Sequence, residues 1–147
     1  MKKSTPSEIL ETALYVDDLG AAERFYGSLL GLEKVTEEHD RHIFFKCGQA
    51  MLLLFNAKAT DQPPSNANSV PGHGAKGPGH ICFSATNVEI NEYEDRFKTA
   101  GVDIEADITW PNGARSIYVR DPSGNSIEFA EPKLWGLQNL TTDLMES

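Results

Sequence analysis

The stretch that decides the fold runs from Ile9 to Leu32, ILETALYVDDLGAAERFYGSLLGL, because its plan returns from His80 to Val102 as HICFSATNVEINEYEDRFKTAGV. Each copy opens with a short strand-like run, breaks at a polar capping residue, and then repeats apolar positions at helical spacing up to a glycine. In the first copy Ile9 to Val16 reads as a strand and Asp18 as the N-cap. Ala21, Ala22, Phe25, Leu29 and Leu30 form one apolar helix face, and Gly31 takes the left-handed turn at the helix end. In the second copy Thr86 or Asn87 caps a helix that runs through Ala100 and closes at Gly101. Glu11 and His80 are 69 positions apart, and Gly31 and Gly101 are 70 apart. That agreement marks an internal repeat.

Working outward, LEKVTEEH, RHIFFKCG and AMLLLFN follow the first helix as strand candidates, and IEADITW, SIYVRD and SIEFAE follow the second. PNGAR, with its Asn112-Gly113 pair, and DPSGN supply the turns of the second copy. Each half is therefore βαβββ, which makes the chain one α+β domain. The first module covers about residues 7–56 and the second about 79–132, with a tail at 133–147 in which WGLQNLTTDLMES adds a short helix. Between the modules, residues 57–78 are rich in Pro, Gly, Ser and Asn without periodicity, a connection long enough to be functional or disordered.

Composition narrows the function classes. The net charge is −9, which repels nucleic-acid backbones and anionic membranes, and no apolar run approaches the length of a membrane span. MKKSTPSEIL carries two lysines but no apolar segment of a secretion signal, so a cytoplasmic protein is expected. Cys47 and Cys82 lie in strand-like runs without a disulfide or CxxC pattern and read as reduced core or cleft residues. GHGAKGPG is no phosphate loop, because it lacks GK[ST] and precedes a strand.

Strand alternation separates two faces. Leu10, Thr12, Leu14 and Val16 belong to the helix side of the first strand, as do Ile81, Phe83 and Ala85 in its counterpart and Ile127 and Phe129 in the last strand. Glu11, His80 and Glu128 then fall on the opposite faces of their sheets. Two carboxylates and an imidazole on such faces are a donor set suited to a divalent metal.

With these motifs in hand, the chain resembles the vicinal oxygen chelate superfamily of glyoxalases, extradiol dioxygenases and bleomycin-resistance proteins. The resemblance rests on LYVDDLGAAERFYGSLLGL, GHICFSATN and VRDPSGNSIEFAE, and spans roughly residues 7–132. It implies two βαβββ modules forming a half-open mixed β-barrel cup with flanking helices, around one divalent ion, either Mn, Fe, Zn, Ni or Mg. By motif position it assigns Glu11, seven residues before Asp18, with His80 and Glu128 as metal ligands. A fourth ligand found in glyoxalases falls on Leu52 when Gly48 is aligned with Gly124, and leucine cannot bind metal. The resemblance thus implies a metal-dependent lyase or isomerase on a small oxygen-rich substrate, other than the ordinary lactoylglutathione lyase. Its rivals are an extradiol-type dioxygenase and a drug-sequestering dimer without catalysis. Relatives of this size pair as homodimers, so a homodimer is expected with the small-molecule substrate as the other partner.

Eight further positions complete the expectations. Tyr118 and Arg120 share a face of SIYVR opposite Ile117 and Val119 and are candidates for contact with substrate oxygens. Leu52 and Leu54 are candidates for an apolar substrate wall. His39 and His42 read as solvated turn residues, Trp110 as a rim or core residue, and His73 as a lid residue or proton shuttle in the long connection.

Overall fold

Alternating burial carries the repeat into three dimensions. The computed structural model describes residues 3–63 and 69–138, so most of the tail assigned a short helix lies outside the described residues. The chain divides into two compact units, Met1–Gly77 and Pro78–Ser147.

In the first unit β1 (Glu11–Tyr15) leads to α1 (Leu19–Ala22), which continues without a break as a π-helical segment, Glu23–Leu29. β2 (Glu33–Glu38), β3 (His42–Cys47) and β4 (Ala50–Phe55) complete a mixed sheet in the order β1-β4-β3-β2, with β1 parallel to β4. Asp18 caps the helix as expected, its Oδ1 accepting from the Ala21 amide at 3.0 Å. The helical face differs from the sequence reading. The Leu30 amide reaches back to the Phe25 carbonyl, a five-residue step that turns Tyr26 fully into the core and leaves Leu29 and Leu30 half-buried. Tyr26 packs against Phe45, and a Cβ on the neighbouring Gly27 would stand 3.3 Å from the Phe45 ring, a contact tight enough to make that ring shift by a few tenths of an ångström. Leu10 also departs from expectation, since it precedes the strand and is 73% exposed. β2 is exposed throughout, with two lysine- or glutamate-bearing ends and a register shift between Lys34 and Thr36, features that protect a sheet edge from pairing with another chain.

The long connection is not featureless. α2 (Ala57–Thr60) opens it, capped by Asn56, whose Oδ1 accepts from the Lys58 amide. The returning chain is held by the His73 amide on the Thr60 carbonyl at 2.9 Å. At Gly72 a Cβ would stand 2.4 Å from the Gln62 carbonyl oxygen, so only glycine permits that approach.

In the second unit β5 (His80–Ser84), α3 (Asn87–Thr99), β6 (Ala106–Thr109), β7 (Arg115–Arg120) and β8 (Ser126–Ala130) repeat the plan, in the sheet order β5-β8-β7-β6. Thr86, not Asn87, is the N-cap, and it forms a reciprocal capping box with Glu89. Ile90 and Phe97 of α3 are fully buried with Ile117, Val119, Ile127 and Phe129, which places the core of this unit between helix and sheet. The α+β reading therefore holds: two four-stranded mixed sheets, each with its own helix.

Candidate metal centre

The open face of the second sheet is assembled by register. Cys82, Glu128, Tyr118 and Ala106 form one cross-strand row, with His80, Ser126 and Arg120 in the next row on that face. The DPSGN turn sets this register. Asp121 Oδ1 accepts the amides of Ser123 and Asn125, each at 2.9 Å, and the buried Asn125 side chain bonds Asp121 Oδ2. Asn125 Oδ1 then accepts the Gly79 amide at 2.7 Å, while the Ser126 amide donates to the Gly79 carbonyl. The residue before His80 is thereby tied to the residue that begins β8.

His80 and Glu128, named separately from sequence, come together. His80 Nδ1 stands 3.0 Å from the Ser126 carbonyl, and a carbonyl only accepts, so Nδ1 carries the proton of that bond. Nε2, the other ring nitrogen, faces Glu128 Oε1 at 3.3 Å and is the one available to a cation. A proton shared between Nε2 and Oε1, or a cation bound by both, satisfies that approach. His80 is half exposed while Glu128 is only 6% exposed, so the pair forms a carboxylate floor with an accessible imidazole. Glu128 Oε2 accepts from Ser116 Oγ at 2.7 Å, and Ser116 Oγ accepts from Trp110 Nε1 at 2.8 Å. Neither partner was legible beforehand; the only signal was that Ser116 shares the parity of Tyr118.

The carboxylate colours its neighbours. Desolvation first, then hydrogen bonding to Glu128 and repulsion from it, pushes the Tyr118 phenol up to about 12. The same order of desolvation and Glu128 charge pushes the Cys82 thiol up to about 12, although Cys82 as a residue is exposed rather than in the core. The Tyr118 ring lies nearly parallel to His80, with centroids 6.3 Å apart. Arg120 is on this face too, but its guanidinium is engaged with Glu105 at 2.6 and 3.0 Å and with the Gly124 carbonyl.

The first unit presents a different surface at the equivalent places. Glu11 pairs with Met51 as His80 pairs with Ser126, and it is exposed on the face of β1 opposite the core. Register corrects the position of the missing ligand. Thr12 pairs with Leu52 and Ala13 with Leu53, so Leu53, not Leu52, holds the place of Glu128. Leu52 and Leu54 are 1% and 0% exposed in the core, which removes them from any substrate wall. The glycine alignment slipped by one residue, and a slip of one exchanges the faces of a strand. The conclusion that a leucine stands there is unchanged.

One end of this face is aromatic, with Tyr15, Phe55, His42 and Phe44 adjacent by register. His42 is no solvated residue: it stacks on Phe44 at 4.1 Å, and burial, then Arg41, lowers its pKa. His39, by contrast, is 95% exposed in its side chain. His73 lies against Phe55 and shares a 2.6 Å hydrogen bond between its Nδ1 and the Tyr15 hydroxyl. Among the described residues, no three His, Cys, Asp or Glu side chains are gathered as a complete ligand set. His80 and Glu128 nevertheless fit a divalent ion, by the ring nitrogen and carboxylate oxygen they turn to one another.

Residues 8–129 match the Glyoxalase/Bleomycin resistance protein/Dioxygenase superfamily. The chain belongs to this superfamily. Among solved structures it is similar to lactoylglutathione lyase from Agrobacterium tumefaciens, with 47% identity, a TM-score of 0.87, and coverage of 91% of this chain and all of that one. The glyoxalase family protein of Enterococcus faecalis is 25% identical with a TM-score of 0.63, over 84% of this chain and 97% of that one. Virulence protein STM3117 of Salmonella typhimurium is 30% identical over 122 residues, 80% of this chain and 79% of that protein. Superfamily membership accounts for the duplicated βαβββ plan, and no helix among the described residues is long and apolar enough to cross a membrane.

Proposed function

We propose that this superfamily member is a divalent-metal-dependent lyase or isomerase of glyoxalase type, acting on a small substrate with two neighbouring oxygens. The observation that carries the reading is the facing of His80 Nε2 and Glu128 Oε1 at 3.3 Å, with the Nδ1 proton already committed to Ser126. His80 and Glu128 are two donors; Glu11, assigned as a third by the motif resemblance, stands at the place in β1 that His80 holds in β5. A divalent ion on these donors supplies Lewis-acid polarisation of the substrate oxygens. The chain itself orients Glu128 through Ser116, keeps the Tyr118 phenol protonated as a hydrogen-bond donor, and offers a carboxylate, Glu11 or Glu128, to accept a proton.

The similarity to a lactoylglutathione lyase makes lactoylglutathione formation the first activity to assay. Leu53 at the fourth-ligand place argues for a different oxygen-rich substrate, because one carboxylate of the four-donor arrangement is missing. The reading predicts about one equivalent of Mn²⁺ or Zn²⁺ per chain on equilibrium dialysis, lost in Glu128→Ala and weakened in Glu11→Gln. Wild-type protein that binds neither ion ends it.

A further inference from the structure

The two oxygens of Glu128 have different company. Oε1 faces the imidazole of His80, whereas Oε2 accepts the Ser116 hydroxyl proton, and Ser116 is completely buried. An indole nitrogen can only donate, so Trp110 Nε1 occupies a lone pair of Ser116 Oγ, whose proton goes to Glu128 Oε2 at 2.7 Å. Tyr118 also reaches both Ser116 and this carboxylate, and Cys82 reaches the carboxylate. Trp110 is itself fixed at the Asn112-Gly113 hairpin, its amide on the Ala114 carbonyl and its carbonyl on the Gly113 amide, both at 2.8 Å. The donors in this chain run one way, from indole to hydroxyl to carboxylate.

We infer that Trp110 and Ser116 are positioning residues that hold Glu128 by Oε2, so that Oε1 is the oxygen presented to a divalent cation beside His80 Nε2. A free carboxylate rotates about its terminal bond and exchanges its oxygens; a serine donor at 2.7 Å from one oxygen opposes that rotation. Neither residue touches the cation or the substrate. Their effect passes through the orientation of Glu128, and the inference rests on the metal-centre reading above.

The test measures Mn²⁺ affinity by electron paramagnetic resonance in wild type, Ser116→Ala, Trp110→Phe, the double variant and Glu128→Ala. Ser116→Ala is expected to weaken binding about tenfold or more, as loss of a ligand-orienting hydrogen bond does. Trp110→Phe keeps an apolar ring and is expected to cost about threefold, and the double variant no more than Ser116→Ala alone, because the two act in series. A second readout is the Trp110 Nε1–H resonance, assigned by its loss in Trp110→Phe. It is expected to shift when Mg²⁺ or Zn²⁺ is added to wild type and to stay in place in Ser116→Ala.

If wild type binds Mn²⁺ and Glu128→Ala does not, yet Ser116→Ala binds as wild type does, the relay is wrong and the metal centre stands. Single-variant effects that multiply in the double variant also overturn the relay. Wild type without Mn²⁺ binding removes the metal centre and the relay together. Should Ser116→Ala fail to fold, Trp110→Phe decides: unchanged affinity and an indole resonance that ignores the ion overturn the inference.

Discussion

Asn125 shows how much one side chain in a turn can organise. At 2% exposure it closes the DPSGN turn on Asp121 and holds the Gly79 amide, 46 positions earlier in sequence. From sequence DPSGN reads as a turn and nothing more, because turn chemistry is local and the tether to Gly79 is not. Asn125→Ala removes the hydrogen bond to the part-buried Gly79 amide and the one to the Asp121 carboxylate, and hydrogen bonds of this kind, one of them to a charged group, contribute about 1–3 kcal/mol. The expected result in urea unfolding is a loss of at least about 2 kcal/mol with an unchanged m-value. A loss below about 0.5 kcal/mol, the level of an ordinary surface change, contradicts the tether.

Among the elements, helix α3 has an attachment that responds to pH. Arg115 of β7 bonds Asp107 of β6 at 3.0 and 2.9 Å and Glu94 of α3 at 2.9 Å, joining two strands and the helix through one guanidinium. Arg115 holds the Asp107 carboxyl below its ordinary value of 3.8, and Lys98, then Arg115, hold Glu94 below 4.5. Depressed carboxylate pKa values contribute stability that is complete above the ordinary values and is lost as pH falls through the lower native ones. Arg115→Met is therefore expected to reduce the urea midpoint most near about pH 7 and progressively less below about pH 4. A difference from wild type that stays constant over this range assigns the effect to packing of the arginine stem instead. Element existence and order were legible here because caps, glycines and alternation agree along the chain. The π-helical step at Glu23–Leu29 was not, since a period of 3.6 assumes the step that Leu30 to Phe25 violates, and so Tyr26 was missed as a core residue.

At the scale of the whole molecule, one plan has been given two chemistries. The face of the first sheet opposite its helix gathers Tyr15, His42, Phe44 and Phe55, and that of the second gathers His80, Ser116, Tyr118 and Glu128. The repeat, and three of the polar residues on the second face, could be read from spacing and parity, whereas the relation of Glu128 to its leucine counterpart could not, because a turn glycine fixes register only to within a residue. The register makes a sharp distinction between neighbours that sequence treats alike. Leu52 is 1% exposed and shares the core face with Phe45, so a carboxylate there is buried without a partner at a cost of several kcal/mol. Leu53 is half-buried on the Glu11 side, so Leu53→Glu keeps the carboxylate near water and is expected to cost about 1 kcal/mol or less. Thermal unfolding of the two variants side by side checks this: Leu52→Glu is expected to lose the cooperative transition and Leu53→Glu to keep it. The reverse order, or equal damage at both sites, means that the first module places its leucines a residue away from the register described, and Leu52 returns as the counterpart of Glu128.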